Sequence, residues 1–246
     1  MSEQNYFKFS NLVIAIPLLA VILIWTVYWV ELKFQINLNM YGVYPRKLKG
    51  LRGIVFSPFI HGSLKHLYNN TIPLAILTAS LFYFYRKIAF TVLLWGIFLS
   101  GLFTWGIGRP SYHIGASGVI YVLASFIFFK GVFSKYYRLV ALSLIIVFIY
   151  GSLLWYIFPV KDGISWEGHL GGFLTGLVLA ILVRTEIPSP KKYEWEKEDY
   201  QEEEDEFLQQ FDEEGNFIEK KPEEASHEAS IKIRYHYKEK GNAGEV

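Results

Sequence analysis

Six apolar runs follow one another along the first 185 residues, and polar or charged residues separate them. Four runs are long enough, as helices, to cross the roughly 30 Å hydrocarbon core of a bilayer: Leu12 to Val30, about Leu64 to Tyr85, about Ile88 to Gly108, and Leu139 to Phe158. Only Arg86 and Lys87 separate the second and third runs, which predicts an antiparallel helical hairpin. A cleaved signal peptide, the alternative for the first run, is disfavoured by its length and by the lack of a following small-residue cleavage site.

The two remaining runs, Ser117 to Phe129 and His169 to Val183, are too short to span a bilayer. Their lengths as helices are roughly 20 Å and 22 Å. If Lys130 marks one membrane surface, Ser117 lies about 10 Å below the other, at the start of a buried helix, and His169 lies at a similar depth. Helix ends at that depth are tolerated only inside protein or beside a water-filled cavity. The pattern therefore predicts a hydrated pocket that contains Ser117 and His169.

Composition and charge divide the chain into two regions. The chain is 52% hydrophobic and 18% aromatic, as expected for a multi-pass membrane protein, and it has no cysteine, which excludes disulfide and thiolate chemistry. Residues 1–184 carry a net charge of +11, whereas residues 185–246 carry −10. We therefore expect a short cytoplasmic N-terminus (1–11), a six-helix membrane domain (12–185) and an acidic, solvated tail (186–246).

Most Lys and Arg residues between the runs fall on one side, which is then cytoplasmic together with both termini: Lys8, Arg86, Lys87, Lys130, Lys135, Arg138, Arg184, Lys191 and Lys192. The loop from Glu31 to Gly62 is an exception, since it is basic but would lie outside. Its 32 residues exceed the length of a simple connector, so we expect a folded first loop. In the tail, disorder is the main expectation, and Ile231 to Tyr237 is an alternative docking segment because apolar and polar residues alternate there.

Four histidines, His61, His66, His113 and His169, lie near the predicted outer ends of the runs. A metal site is one explanation, but His61 and His66 are five residues apart, about 140° on a helix, and no HExxH motif accompanies them. Structural hydrogen bonds at helix interfaces are a second explanation. Nucleophilic catalysis accounts for more of the pattern, so we expect no metal and no cofactor.

Ser117 is the candidate nucleophile because Gly115 and Gly118 flank it at a helix start, where free backbone amides favour a developing negative charge. The Ser117 amide would be one oxyanion donor. His66 and Asn70 are four residues apart and share a helix face, so both can donate hydrogen bonds to one point. They are the candidate side-chain donors of an oxyanion hole.

His169 is the candidate general base, because Gly172 and Gly176 on the same helix face allow a close approach of the helix that carries Ser117. His113, four residues before the serine, is the alternative base. No acidic residue is placed to orient the base, since Glu167 is expected in the preceding loop and Asp162 further away. The sequence therefore predicts a Ser-His dyad, with Tyr121 packed against the imidazole, although ordinary core packing would also explain a tyrosine there.

Three motifs now occur in order, on the second, fourth and sixth runs: HGSLKHLYNN (61–70), GASG (115–118) and GHLGGFLTG (168–176). With them, residues 10–185 resemble the rhomboid family of intramembrane serine proteases. The resemblance implies a six-helix bundle with Ser117 as nucleophile and His169 as base. It implies oxyanion contacts from His66, Asn70 and the Ser117 amide, and a tyrosine, Tyr121, stacked on the base. Leu51-Arg52 stands where the family commonly has Trp-Arg.

The expected activity is hydrolysis of a peptide bond in the transmembrane segment of another membrane protein, in the inner membrane of a bacterium. The partners are then transmembrane substrates and the lipid bilayer, with no nucleic acid. One alternative is a catalytically silent relative that binds membrane proteins as a scaffold or quality-control factor. A small transporter or channel would also have broken helices at mid-depth, but it would not require Ser117.

Overall fold

The computed structural model describes residues 7–160, 163–186, 193–196, 198–205, 207–212 and 214–218. The six apolar runs form six long helices, and one short helix lies in the first loop. This confirms the predicted all-α bundle with a folded first loop. The helices are α1 (Leu12–Phe34), α2 (Gly53–Phe56), α3 (Leu64–Phe84), α4 (Ala89–Ile107), α5 (Ser117–Ser134), α6 (Tyr137–Tyr150) and α7 (Trp166–Leu182).

Helix α5 is longer than the sequence predicted, because it continues past Phe129 to Ser134. The Lys130 side chain is buried, and its ammonium group donates hydrogen bonds to the carbonyl oxygens of Ala180 (3.0 Å) and Val183 (2.7 Å). These carbonyls belong to the end of α7, where the backbone lacks intrahelical donors. The lysine thus caps the end of a neighbouring helix. The prediction that the run beginning at Ser117 is too short to span a bilayer was wrong, since Ser117–Ser134 is long and apolar enough to cross one.

The fifth run was predicted as one full-length helix, but α6 ends at Tyr150 and the chain continues as a 3-10 helix, Gly151–Ile157. Gly151 lowers α-helical propensity at this point, and Pro159 disfavours α conformation in the residue before it. The break changes the direction of the peptide groups beyond Gly151. One of these groups, the carbonyl of Tyr156, contacts His169.

The helices α3 and α4 are joined by a short 3-10 turn, Arg86–Ile88, as the sequence predicted, but they do not form a packed hairpin. Helix α3 packs mainly against α1 and α5, whereas α4 packs against α7, α5 and α2. Glycines explain why α4 packs closely against α5 and α2. A Cβ added at Gly96 would lie 2.8 Å from Val122 of α5, and one at Gly101 would lie 3.0 Å from Ile54 of α2.

The most extensive packing between two helices is that of α5 with α7. A Cβ at Gly172 would collide with the carbonyl oxygen of Gly118, and a Cβ at Gly176 would collide with that of Val122. The Ser125 hydroxyl donates to the carbonyl of Phe173 across this interface, at 2.6 Å. Glycines of α7 thus allow the two backbones to touch.

The first loop is folded onto α4. The Trp105 indole donates to the carbonyl of Lys47 (2.9 Å), and the Arg46 amide donates to the carbonyl of Trp105 (3.0 Å). Arg52 donates to the Met40 carbonyl (2.9 Å), and its guanidinium lies 4.4 Å from the centre of the Tyr41 ring. Arg52, which follows Leu51, therefore has its contacts within the loop itself.

Among the described residues, three stretches are long and apolar enough, by length and composition, to cross a membrane: Leu12–Phe34, Arg86–Ile107 and Ser117–Ser134. Helices α6 and α7 are apolar but shorter. Helix α3 is less apolar because Lys65, His66, Asn69 and Asn70 occupy its first two turns.

The acidic tail forms a separate unit, residues 191–246. Its described parts contain 3-10 turns and an antiparallel bridge between Phe211 and Phe217. Ile231 to Tyr237 lie outside the described residues, so docking by this segment stays a prediction, as does tail disorder. Before this separate unit, the Glu186 carboxylate pairs with Lys87 (2.6 Å), and this hydrogen bond and charge hold the pKa of Glu186 below its usual range.

We expect Gly176→Ala to lower the free energy of unfolding by about 1–3 kcal/mol, because the added methyl group meets backbone atoms of α5 and forces the helices apart. The matched control is Gly106→Ala in α4, where an added Cβ has no atom within 4 Å. Alanine should be neutral or slightly stabilising there, since it favours helix. Denaturation of both variants in mild detergent tests this, and equal stability would contradict the packing argument.

Candidate active site

Ser117 and His169 meet at the α5–α7 interface, on the wall of an open cavity of about 1090 Å³. The Ser117 Oγ lies 3.0 Å from the His169 Nε2. Each residue lies in the first turn of its helix, so the close approach of the two backbones brings the side chains together. This is the distance expected between a nucleophile and its base.

The other ring nitrogen of His169 has a backbone partner. The Nδ1–H donates to the carbonyl oxygen of Tyr156, in the 3-10 segment after α6, at 3.0 Å. This hydrogen bond leaves Nε2 unprotonated and directed at Ser117. In a Ser-His-Asp triad the aspartate sets the tautomer and orientation of the histidine in the same way. The sequence did not identify Tyr156, because a main-chain carbonyl leaves no residue-type signal.

The ring of Tyr121 lies flat on the His169 imidazole. The ring centres are 4.3 Å apart and the planes differ by 12°. Tyr121 is one helical turn beyond Ser117, as the four-residue spacing predicted, and its side chain is buried. The imidazole is thus held at Nδ1 and on one face.

The turn before Ser117 lies directly beside His66 and Asn70. Gly115 has φ +105°, a conformation that favours glycine, and a Cβ at this position would lie 2.6 Å from the His66 Nε2 and 3.5 Å from the Asn70 Nδ2. The Asn70 Nδ2 is buried and has no hydrogen-bond partner among the described residues. Both side chains line the same cavity as Ser117. They therefore converge on the space next to the serine, where a charge on a bound group would find donors.

His61 and His113 stabilise the surrounding loops. The His61 Nδ1 donates to the carbonyl of Phe59 (3.3 Å), and its Nε2 accepts from the amide of Ala116 (3.4 Å). The His113 Nε2 donates to the carbonyl of Arg109 (3.1 Å), while its Nδ1 accepts from the Ser165 hydroxyl. Because both nitrogens of His113 have partners other than Ser117, the structure does not support His113 as the base.

Glu167 does not lie in a loop, as the sequence suggested, but in the first turn of α7, and it is 1% exposed. Its Oε1 accepts from the backbone amide of Arg109 at 3.1 Å. Asp162, the other acidic residue considered, lies outside the described residues. Among the described residues, no group of three or more His, Cys, Asp or Glu side chains is placed to hold a metal ion.

Comparison with known proteins identifies the family to which this chain belongs. The model of the rhomboid domain matches residues 49–186. Uncharacterized proteins from Mycobacterium tuberculosis and Mycobacterium bovis are each 37% identical over 170 residues, which cover 63% of this chain and 70% of the relative. One from Mycobacterium leprae is 35% identical over 170 residues, covering 63% and 66%. The match spans more than half of the chain and the three motifs, so this protein is an integral membrane protein of the rhomboid family.

Proposed function

We propose that this rhomboid is an intramembrane serine endopeptidase that cleaves transmembrane segments of other proteins, with Ser117 as nucleophile and His169 as base. The observation that carries the proposal is the 3.0 Å contact between the two side chains, with the imidazole held by Tyr156 and Tyr121. The pair differs from the structural histidines because the unprotonated Nε2 of His169 faces a serine hydroxyl and both side chains lie on the wall of the open cavity.

In the first step, His169 Nε2 takes the hydroxyl proton of Ser117 as Oγ attacks the carbonyl carbon of the scissile bond. The carbonyl oxygen becomes an oxyanion beside the first turn of α5. The Ser117 amide, His66 and Asn70 are the proposed donors to it, and the positive end of the α5 dipole adds to their effect. The Asn70 Nδ2 supports this role, because it is buried, has no hydrogen-bond partner among the described residues and lines the cavity, so a bound oxyanion would supply one.

Collapse of the tetrahedral intermediate breaks the peptide C–N bond, and the His169 imidazolium donates its proton to the leaving amine. A water molecule from the cavity then attacks the acyl-enzyme, with His169 again accepting a proton. The cavity of about 1090 Å³ is open, so it admits both water and an unwound substrate segment. An intact helix has its carbonyls in hydrogen bonds, so local unwinding of the substrate precedes attack.

The proposed membrane is the inner membrane of a bacterium, with both termini in the cytoplasm. The basic residues between the spans support this orientation. The basic first loop is the exception, and part of its charge is engaged locally, since Arg46 donates to the Gly106 carbonyl (3.4 Å) and Arg52 to that of Met40. In this orientation the cavity opens to the outer face.

Ser117→Ala and His169→Ala should each abolish cleavage of a single-pass transmembrane reporter by the purified full-length protein in detergent. Loss of either member of the pair removes the activated nucleophile, which lowers kcat by roughly 10⁶-fold in a soluble serine protease. Thermal unfolding of both variants should match that of the wild type. Cleavage by Ser117→Ala would contradict the proposed nucleophile. A wild-type protein that cuts no reporter and leaves Ser117 unlabelled by a fluorophosphonate probe would favour the scaffold alternative.

Asn70→Ala should lower kcat by about 10²- to 10³-fold, because one oxyanion donor is lost. The matched control is Asn69→Ala, which removes the neighbouring but exposed amide and should change kcat little. Steady-state cleavage of the reporter measures both. Equal activity of the two variants would show that Asn70 is not a donor.

A further inference from the structure

We infer that Glu167 and Arg109 are a positioning pair for the proposed protease site. The carboxylate of Glu167, held by Arg109, fixes the first turn of α7 against the loop that leads to Ser117, and so fixes the direction of His169. The inference rests on the proposed function and adds residues that the rhomboid motifs described above do not include.

Arg109 contacts α7 and the loop before it through three groups. Its backbone amide donates to the Glu167 Oε1 (3.1 Å), its Nε lies 3.8 Å from the same oxygen, and its Nη2 donates to the carbonyl of Ile164 (2.6 Å). Arg109 belongs to the α4–α5 loop, which continues into the turn before Ser117. One residue on the serine side thus holds both the loop before α7 and its first turn.

A second connection runs parallel to the first. The His113 Nε2 donates to the carbonyl of Arg109, its Nδ1 accepts from the Ser165 hydroxyl, and the Ser165 Oγ accepts from the amide of Gly168. Val43 pairs with His113 through two backbone hydrogen bonds of 2.9 Å and 2.8 Å, which fix the loop to the first loop. The two connections constrain the loops on both sides of the Ser117–His169 contact.

Glu167 does not act as the acid of a triad. Two residues along a helix correspond to a rotation of about 200°, so its side chain and that of His169 point to opposite sides of α7. The His169 Nδ1 already donates to Tyr156. Glu167 therefore acts through the position of the α7 backbone and through its charge, which favours the imidazolium formed during attack.

The burial of Glu167 supports a functional role more than a stabilising one. The side chain is 1% exposed, and its Oε2 has no hydrogen-bond partner among the described residues. A buried carboxylate with one unpaired oxygen carries a desolvation cost, and replacement of buried ion pairs by neutral groups is often neutral or stabilising. A carboxylate at this position is explained if it holds the α7 backbone in place and its negative charge favours the His169 imidazolium.

The test is Glu167→Gln in the full-length protein in detergent, with kcat and KM for a transmembrane reporter and the rate of Ser117 labelling by a fluorophosphonate probe. Glutamine keeps the shape and one acceptor but removes the charge. We expect kcat and labelling to fall by about 10- to 100-fold, the scale of a small misplacement of catalytic groups. KM and the thermal unfolding midpoint should stay as in the wild type.

Two further variants sharpen the result. Arg109→Gln keeps the backbone amide that donates to Glu167 but removes the guanidinium that contacts Glu167 and the Ile164 carbonyl. It should therefore lower kcat, and the double variant should be no slower than the slower single variant, because the two side chains act as one unit. Glu186→Gln is the control, since Glu186 also pairs with a cation, Lys87, but is exposed and lies beyond the end of α7, whereas His169 lies in the first turn of that helix. It should leave kcat unchanged.

Wild-type kcat and labelling in Glu167→Gln would overturn the inference, as would an equal loss in Glu186→Gln. If Glu167→Gln fails to fold, Arg109→Gln decides, because the Arg109 side chain is 43% exposed. A wild-type protein that is labelled but cuts no reporter contradicts the proposed endopeptidase, while the labelling rates still test the pair. If the wild type is neither cutting nor labelled, both proposals fail.

Discussion

The contact between the backbones of α5 and α7 is the constraint on which the rest of the structure depends. Gly172 and Gly176 leave no side chain between the helices, so the first turns of both helices, with Ser117 and His169, come within hydrogen-bond reach. A methyl group at either glycine meets carbonyl oxygens that cannot move without moving α5. The position of the proposed dyad is therefore decided by packing over several turns of helix rather than by the two residues alone.

A second constraint is that helix ends inside an apolar bundle need hydrogen-bond partners. At the end of α7 the Lys130 ammonium donates to backbone carbonyls, and at its start the Ser165 hydroxyl oxygen accepts from a backbone amide. The carbonyl of Tyr156, beyond the end of α6, receives the His169 imidazole. The same requirement that stabilises the fold thus also orients the group proposed as the base.

The sequence predicted those features that depend on residue type and spacing. The helix starts at Ser117 and near His169, the glycine face of α7 and the four-residue spacing of Tyr121 all follow from local patterns. It could not predict features that depend on packing. The run from Ser117 was predicted to end at Phe129, because a charge in a sequence does not reveal that Lys130 finds carbonyl partners on a neighbouring helix. The prediction that α3 and α4 form a packed hairpin was wrong, because a short turn makes two helices consecutive but does not decide which helix faces pack together. Glu167 was assigned to a loop because its hydrogen-bond partner, Arg109, is 58 residues away in sequence. Local sequence therefore gave no sign that a carboxylate could be buried in the first turn of α7.

The 3-10 segment Gly151–Ile157 has a consequence for how the activity can be lost. The group that it offers to His169 is a main-chain carbonyl, so the hydrogen bond survives any replacement of the Tyr156 side chain that keeps the backbone path. An insertion or deletion of a single residue between Tyr150 and Tyr156 would instead turn that carbonyl away from the imidazole. Such a chain would keep every residue of the three motifs and still present its histidine in the wrong orientation, so the length of this segment is as much a part of the site as any side chain.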